Sequence, residues 1–256
     1  MIVAENLTKR YGDVIAVDGL DLRVEAGEVY GFLGPNGAGK TTTMEMLTTL
    51  STPTAGRASV AGHSTTERDA IKPHVGYLPD DPPVYDAFSA REQLEYVATL
   101  RGLEAASDRI DRLLDRVGLA ADADRQIDGY SQGMRQKVGL VQSVVHEPSV
   151  LLLDEPTNGL DPRAAREVVD LIADLSAEGT TVFLSTHILP VVEELADTVG
   201  VLHEGTLVAE GSPAELKRRA VDDAEGSLER VFLEVTDDDG HLAGDDAVAT
   251  ETGDGR

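Results

Sequence analysis

Residues Gly34 to Thr42 read Gly-Pro-Asn-Gly-Ala-Gly-Lys-Thr-Thr and fit the phosphate-loop pattern G-x-x-x-x-G-K-[ST]. The chemistry of such a string is anion capture. Its glycines let the backbone curl until successive N–H groups converge on phosphate oxygens, and a following helix aims the positive end of its dipole at them. On this reading Gly34, Pro35, Asn36, Gly37, Ala38, Gly39 and Thr42 cradle a polyphosphate, Lys40 reaches its outer phosphates and Thr41 offers a hydroxyl to Mg²⁺. A bare Gly-rich turn is the plain alternative, and the flanking text argues against it. Val29 to Leu33 is strand-like, while Met46, Leu47 and Leu50 recur at helical spacing after the loop.

A second reactive group lies far along the chain, where Val150-Leu-Leu-Leu153 runs into Asp154-Glu155. A continuous apolar run of this kind suits a strand buried on both faces of a parallel sheet, and carboxylates at such a strand's C-terminal end sit where open α/β sheets bind ligands. Asp154 could then hold Mg²⁺, directly or through water, and Glu155 could orient and deprotonate an attacking water. Standing alone, Asp-Glu before Pro156 would read as a turn; the phosphate loop reverses that reading. Thr181 to Leu184 is another buried strand, with His187 near its tip and within reach of a terminal phosphate. The other five histidines lack such a place. Tyr11, before Gly12, reads either as a strand-end aromatic or as the flat partner on which an adenine ring would stack.

The elements that must position these groups follow from periodicity. Leu20, Leu22 and Val24 alternate with polar residues in an antiparallel opening region that turns at Gly27, and residues 51–77 read as short strands and loops ending in Val75 to Leu78. From about 84 to 147 the period becomes helical. Ser89 and Glu92 form a capping box ahead of Leu94, Val97 and Leu100, a second helix starts at Ser107, and a third spans Ser131 to Glu147 before Pro148. Asp161-Pro162 caps the helix carrying Val168, Leu171, Ile172 and Leu175. A hairpin turns at Glu204-Gly205, Ser212 and Glu215 cap a short helix, and Leu228 to Val235 is expected as a strand. The Asp- and Gly-rich stretch from Asp237 to Arg256 is expected to be disordered.

Composition bounds the partners. The 256 residues hold 22 basic against 47 acidic side chains, a net charge of −25, so direct binding to nucleic acid or anionic lipid is disfavoured. Charge repulsion on that scale is relieved by molar salt, where the Debye length falls to about 3 Å, and we read the chain as adapted to a salt-rich cytoplasm. With no cysteine, disulfides and thiolate metal sites are excluded. No apolar run approaches the length of a membrane span, and nothing resembles a signal peptide.

The order of these motifs resembles the nucleotide-binding subunit of an ATP-binding cassette (ABC) transporter, over residues 1–235. An aromatic at Tyr11, the Walker A loop, a Q-loop region at Asp80, a signature at Tyr130-Ser-Gln-Gly-Met134, Walker B at Leu151 to Glu155, a D-loop at Gly159-Leu-Asp161 and a switch His187 stand in register. The resemblance implies an α/β P-loop ATPase core with a mainly parallel sheet, an N-terminal antiparallel β subdomain and an inserted α-helical subdomain at about 84–147. It implies a cassette over 1–220 and an extension over 221–256. It further implies two cassettes, identical or different, packed head to tail, with ATP and Mg²⁺ between the loop of one and Ser131 and Gly133 of the other. An integral membrane permease would be driven from the cytoplasmic face of the membrane. Two departures mark this chain. Asp80 stands where the family usually has Gln, as a possible ligand to Mg²⁺ beside Thr41 and Asp154, and Gln132 and Met134 replace the commoner Gly and Gln. Both variants look like the branch that energises drug, sodium or polysaccharide exporters. The alternative is an ABC-type ATPase without a membrane partner, acting in repair, translation or cluster assembly. A guanine-reading switch is disfavoured, because Asn6, Asn36 and Asn158 are never followed by Lys.

Overall fold

The computed structural model describes residues 1–219 and 228–237. Two sheets dominate it. The first is antiparallel, built from β1 (Ile2–Tyr11), β2 (Val14–Val24), β4 (Ala55–Val60) and β5 (His63–Ser64) in the order β2-β1-β4-β5. The second holds β3 (Val29–Leu33), β6 (Val75–Leu78), β7 (Val150–Asp154), β8 (Thr181–Ser185), β9 (Thr198–His203) and β10 (Thr206–Gly211) in the order β10-β9-β3-β8-β7-β6. Its pairings are parallel except for the β9–β10 hairpin. Every residue of β3, β7 and β8 is buried, as their unbroken apolar text requires of strands covered on both faces. Burial of each large aliphatic side chain there contributes about 1.5–3 kcal/mol before the entropy of ordering is set against it.

Helices α1 (Lys40–Leu47) and α2 (Arg68–Ile71) precede β6. Between β6 and β7 lie α3 (Ala90–Leu100), α4 (Ser107–Arg116) and α5 (Gln132–Val144), which share one apolar cluster through Leu94, Ile110, Leu114, Val138 and Val141. Local chemistry starts α3 and α5 as read. The Ser89 side chain accepts from Glu92 N–H while Glu92 accepts from Ser89 N–H, and the Ser131 hydroxyl caps α5 by accepting from Met134 N–H. Then follow α6 (Pro162–Ala177), capped by Asp161, α7 (Leu189–Leu195), α8 (Pro213–Arg219) and α9 (Leu228–Asp237).

Several expectations change. Leu228 to Val235 is helical, not extended: positions 228, 231, 232 and 235 repeat at helical spacing, and Leu228 and Phe232 meet the cluster of Leu33, Val192, Val199, Val201 and Leu216. Leu50 is no part of the α1 core face; α1 ends at Leu47, Thr49 turns into the left-handed region, and Leu50 is exposed. Leu100 also points to solvent, since α3 buries Ala90, Leu94 and Ala98 instead. The third helix is shorter than its text, stopping at Val144 because Glu147 turns to positive φ before Pro148. The expected disorder from residue 238 onward lies outside the described residues.

Candidate active site

The chemistry-bearing groups meet at the C-terminal ends of β3, β7 and β8. Strand β3 delivers the chain into the loop at Gly34, and α1 begins at Lys40. Gly39, the residue before the helix, sits at φ 107°, and a Cβ there would stand 2.3 Å from the Ala16 carbonyl oxygen. Only glycine fits a backbone pressed that closely against β2. The loop is further tied by Gly205 N–H donating to Ala38 O at 2.9 Å, which joins it to the β9–β10 turn.

The Lys40 ammonium donates to Gly34 O at 2.7 Å and Pro35 O at 3.3 Å, and lies 4.0 Å from Glu155 Oε1. Burial lowers its pKa, and Glu155 and Asp154 oppose that shift. The Thr41 hydroxyl donates to Asp154 Oδ2 at 2.8 Å. Burial raises the Asp154 carboxyl above its usual range, with the Thr41 hydroxyl acting the other way. A hydroxyl and a carboxylate one hydrogen bond apart are two hard oxygen donors, the set that Mg²⁺ takes alongside substrate phosphates. Among the described residues no three acidic or histidine side chains converge closely enough to hold a metal unaided. Such an ion would therefore need further oxygens from its substrate.

Glu155 adopts φ 49°, uncommon for a side-chain-bearing residue, and its N–H donates to Ser185 O at 2.8 Å. The bond turns the side chain out of the sheet into the cleft. There His187 Nδ1 lies 3.0 Å from Glu155 Oε1, while His187 N–H donates to Oε2 at 3.4 Å. A carboxylate only accepts, so the neutral imidazole carries its proton on Nδ1 and leaves Nε2 as an acceptor. Both oxygens of Glu155 are thus held by one residue.

A cleft of about 220 Å³ is bounded by Asn36, Gly37, Gly39, Lys40, Thr41 and Thr42 on one side and by Asp80, Asp154 and Glu155 on the other, with Ala16 at its edge. Three carboxylates face one ammonium. A bare polyphosphate entering this cleft would meet net negative charge, whereas one carrying a divalent cation would not; at 4 Å and an effective dielectric of 20 each such pair interacts by about 4 kcal/mol. Asp80 reaches the cleft as expected and also accepts from Asn158 Nδ2 at 3.3 Å. His187, Pro35 and Asn36 line an adjoining cleft with Leu189 of α7 and Phe232 of α9.

The remaining sequence-predicted residues stand apart within one chain. Tyr11 is about half exposed at the end of β1, with Lys9 Nζ 4.9 Å from its ring centroid, and does not line the cleft. Neither do Ser131 and Gly133, at the start of α5. Sequence reasoning missed Ser185, whose carbonyl fixes Glu155, Ala16 at the cleft's rim, and Asn158. No local pattern marks a contact made through a backbone carbonyl on another strand.

Comparison with known proteins agrees with this geometry. The family described as "ABC transporter" matches residues 17–158, more than half of the chain. A daunorubicin resistance ATP-binding protein of Streptomyces coeruleorubidus is 45% identical over 219 residues, covering 84% of this chain and 69% of the relative. A bacitracin transport ATP-binding protein of Enterococcus faecalis is 41% identical over 221 residues, covering 86% and 71%. Among solved structures, an ATP-binding subunit of an ABC transporter superposes with a TM-score of 0.84 at 28% identity, covering 92% of this chain and 99% of that one. A dimeric bacterial ABC transporter cassette gives 0.75 at 25%, covering 83% and 98%. The chain belongs to the ABC transporter family as an ATP-binding subunit, an ATPase coupled to transport.

Proposed function

We propose that this ATPase energises an exporter from the cytoplasmic face of a membrane, paired head to tail with a second cassette. Support for export comes from the relatives, whose names tie them to daunorubicin resistance and bacitracin transport. The observation that carries the ATPase chemistry is the convergence of Lys40 and His187 on Glu155, beside the Thr41–Asp154 pair. Glu155 accepts the proton of the attacking water; His187 fixes the carboxylate through Nδ1 and offers Nε2 as an acceptor to that water; Lys40 neutralises charge on the terminal phosphate. Thr41 and Asp154 would hold Mg²⁺, which when bound would supply positive charge to offset that of the phosphates. Tyr11 supplies the adenine stack, and Ser131 with Gly133 closes the site from the other protomer, where the start of α5 offers N–H groups and a positive dipole end. Residues 1–220 form the cassette in this reading, with 84–147 as its helical subdomain and 221–256 as an extension.

The test is to tag the chain in its native cells, fractionate them and identify any integral membrane protein that co-purifies. The expected result is a detergent-stable complex that turns over ATP. An active ATPase found only in the soluble fraction, with no membrane protein bound, would overturn the exporter reading.

Adaptation to a salt-rich cytoplasm makes a second prediction. The described ion pairs are mostly exposed, as in Arg23–Glu25, and each such pair contributes about 0–1 kcal/mol, too little to offset the repulsion of a −25 chain. Molar KCl should therefore raise the midpoint of thermal unfolding, and transfer to dilute buffer should loosen the fold reversibly. A midpoint indifferent to salt, followed by circular dichroism, would remove this reading.

A further inference from the structure

Asp80 does more in the fold than face the cleft. Strands β6 and β7 are parallel neighbours with Leu78 opposite Leu153, so Asp80 and Glu155 lie at matching places, each two residues beyond the paired ends. Glu155 opens a tight turn closed by Asn158 N–H donating to Glu155 O at 3.0 Å. The side chain at the far end of that turn, the Asn158 amide, donates across the strand gap to Asp80 Oδ1 at 3.3 Å.

The next residue carries the connection further. Gly159 lies at φ 68°, and a Cβ on it would stand 3.2 Å from Gln132 Nε2; a Cβ on Gly133 would meet Leu160 Cδ2 at 3.0 Å. The loop after β7 is therefore packed directly on the start of α5, where Ser131 caps the helix. Lys137 of α5 also pairs with Glu167 of α6, joining the two helices that run on from these segments.

From this placement we propose that Asp80 is a positioning residue: its carboxylate receives the Asn158 amide, and the bond braces both the turn that aims Glu155 and the segment that bears Ser131. The idea rests on the ATPase reading above and assigns Asp80 a task that a metal ligand would not have. One bond then links the hydrolytic carboxylate of a protomer to the surface it offers its partner. Misplacement of a reacting group by about 1 Å can cost on the order of 100-fold in rate, so a brace made of a single hydrogen bond is enough to matter.

The experiment exchanges the two groups. Asn158→Asp sets two carboxylates face to face, and kcat for ATP should fall roughly 10-fold to 100-fold while the ATP dissociation constant and the unfolding midpoint hold. The double variant Asp80→Asn with Asn158→Asp restores an amide donor opposite a carboxylate acceptor, with the polarity reversed, and should recover most of the lost kcat. Recovery supports the brace, because a carboxylate needed at position 80 to meet a metal is missing from the double variant. A double variant as slow as Asn158→Asp alone overturns the proposal, as does an Asn158→Asp protein with unchanged kcat. Wild-type turnover in the same series reports separately on the ATPase reading, so an active wild type with an indifferent Asn158→Asp rejects the brace alone.

Discussion

Glu155→Gln should lower steady-state ATP hydrolysis by about 10²–10⁴-fold, the usual contribution of a positioned general base, while ATP binding persists. The substitution keeps the length of the side chain. An amide oxygen can still accept from His187 Nδ1, now 3.0 Å from Glu155 Oε1, and the backbone bond from residue 155 to Ser185 O is untouched. What disappears is the ability to take a proton. Removing one of the three carboxylates that face Lys40 also lessens the charge opposing a triphosphate, so affinity should hold or improve. The variant should accumulate as an ATP-bound dimer, because the phosphates that join the halves are no longer cut. Phosphate release measures the first effect and size-exclusion chromatography with ATP the second. A Glu155→Gln protein that hydrolyses at the wild-type rate would remove Glu155 from the mechanism. Substitution by Ala is the poorer experiment, since it also deletes the acceptor that holds His187.

Why some of this was legible in the residues and some was not follows from the range of the interactions. Strands β3, β7 and β8 could be read directly, because a strand covered on both faces must be apolar at every position, and their C-terminal ends then fix where Lys40, Asp154 and His187 emerge. The caps at Ser89, Ser131, Asp161 and Ser212 were equally plain, each needing a partner only two or three residues away. The α9 segment failed for a different reason. In Leu-Glu-Arg-Val-Phe-Leu-Glu-Val an alternating and a helical stripe coexist over eight positions, and packing of Leu228 and Phe232 beside Leu33 and Val192 settles the choice. Nothing nearby in the chain announces that packing. The same holds for Glu155, whose left-handed backbone is set by the carbonyl of Ser185, and for Asp80, whose partner lies 78 residues away. Motif spacing located the reacting groups; the bonds that aim them depend on tertiary structure.

Lys40→Ala and Ser131→Arg should each abolish ATP turnover, and mixing the two inactive proteins should bring part of it back. In the first, loss of the ammonium removes the donor to Gly34 O and Pro35 O and the cation set against Asp154 and Glu155. Charge-assisted hydrogen bonds contribute about 1.5–3 kcal/mol each, so ATP affinity should drop by 100-fold or more on the order-of-magnitude scale of about 1.4 kcal/mol per decade. In the second, Ser131 is exposed at the start of α5, so the chain should still fold, losing about 1 kcal/mol with its N-cap. The guanidinium would instead block the surface that meets the partner's triphosphate. If each ATP lies between the loop of one protomer and the α5 start of the other, a mixed dimer holds one site with both defects and one with neither. Random pairing makes half of the dimers mixed, and each mixed dimer keeps one intact site, so activity should return to about a quarter of wild type. Failure to recover any turnover, with both variants shown to fold and to pair, would mean that the loop and Ser131 act within the same chain. That outcome would contradict a site left open in the single subunit, where neither Ser131 nor Gly133 borders the cleft around Lys40.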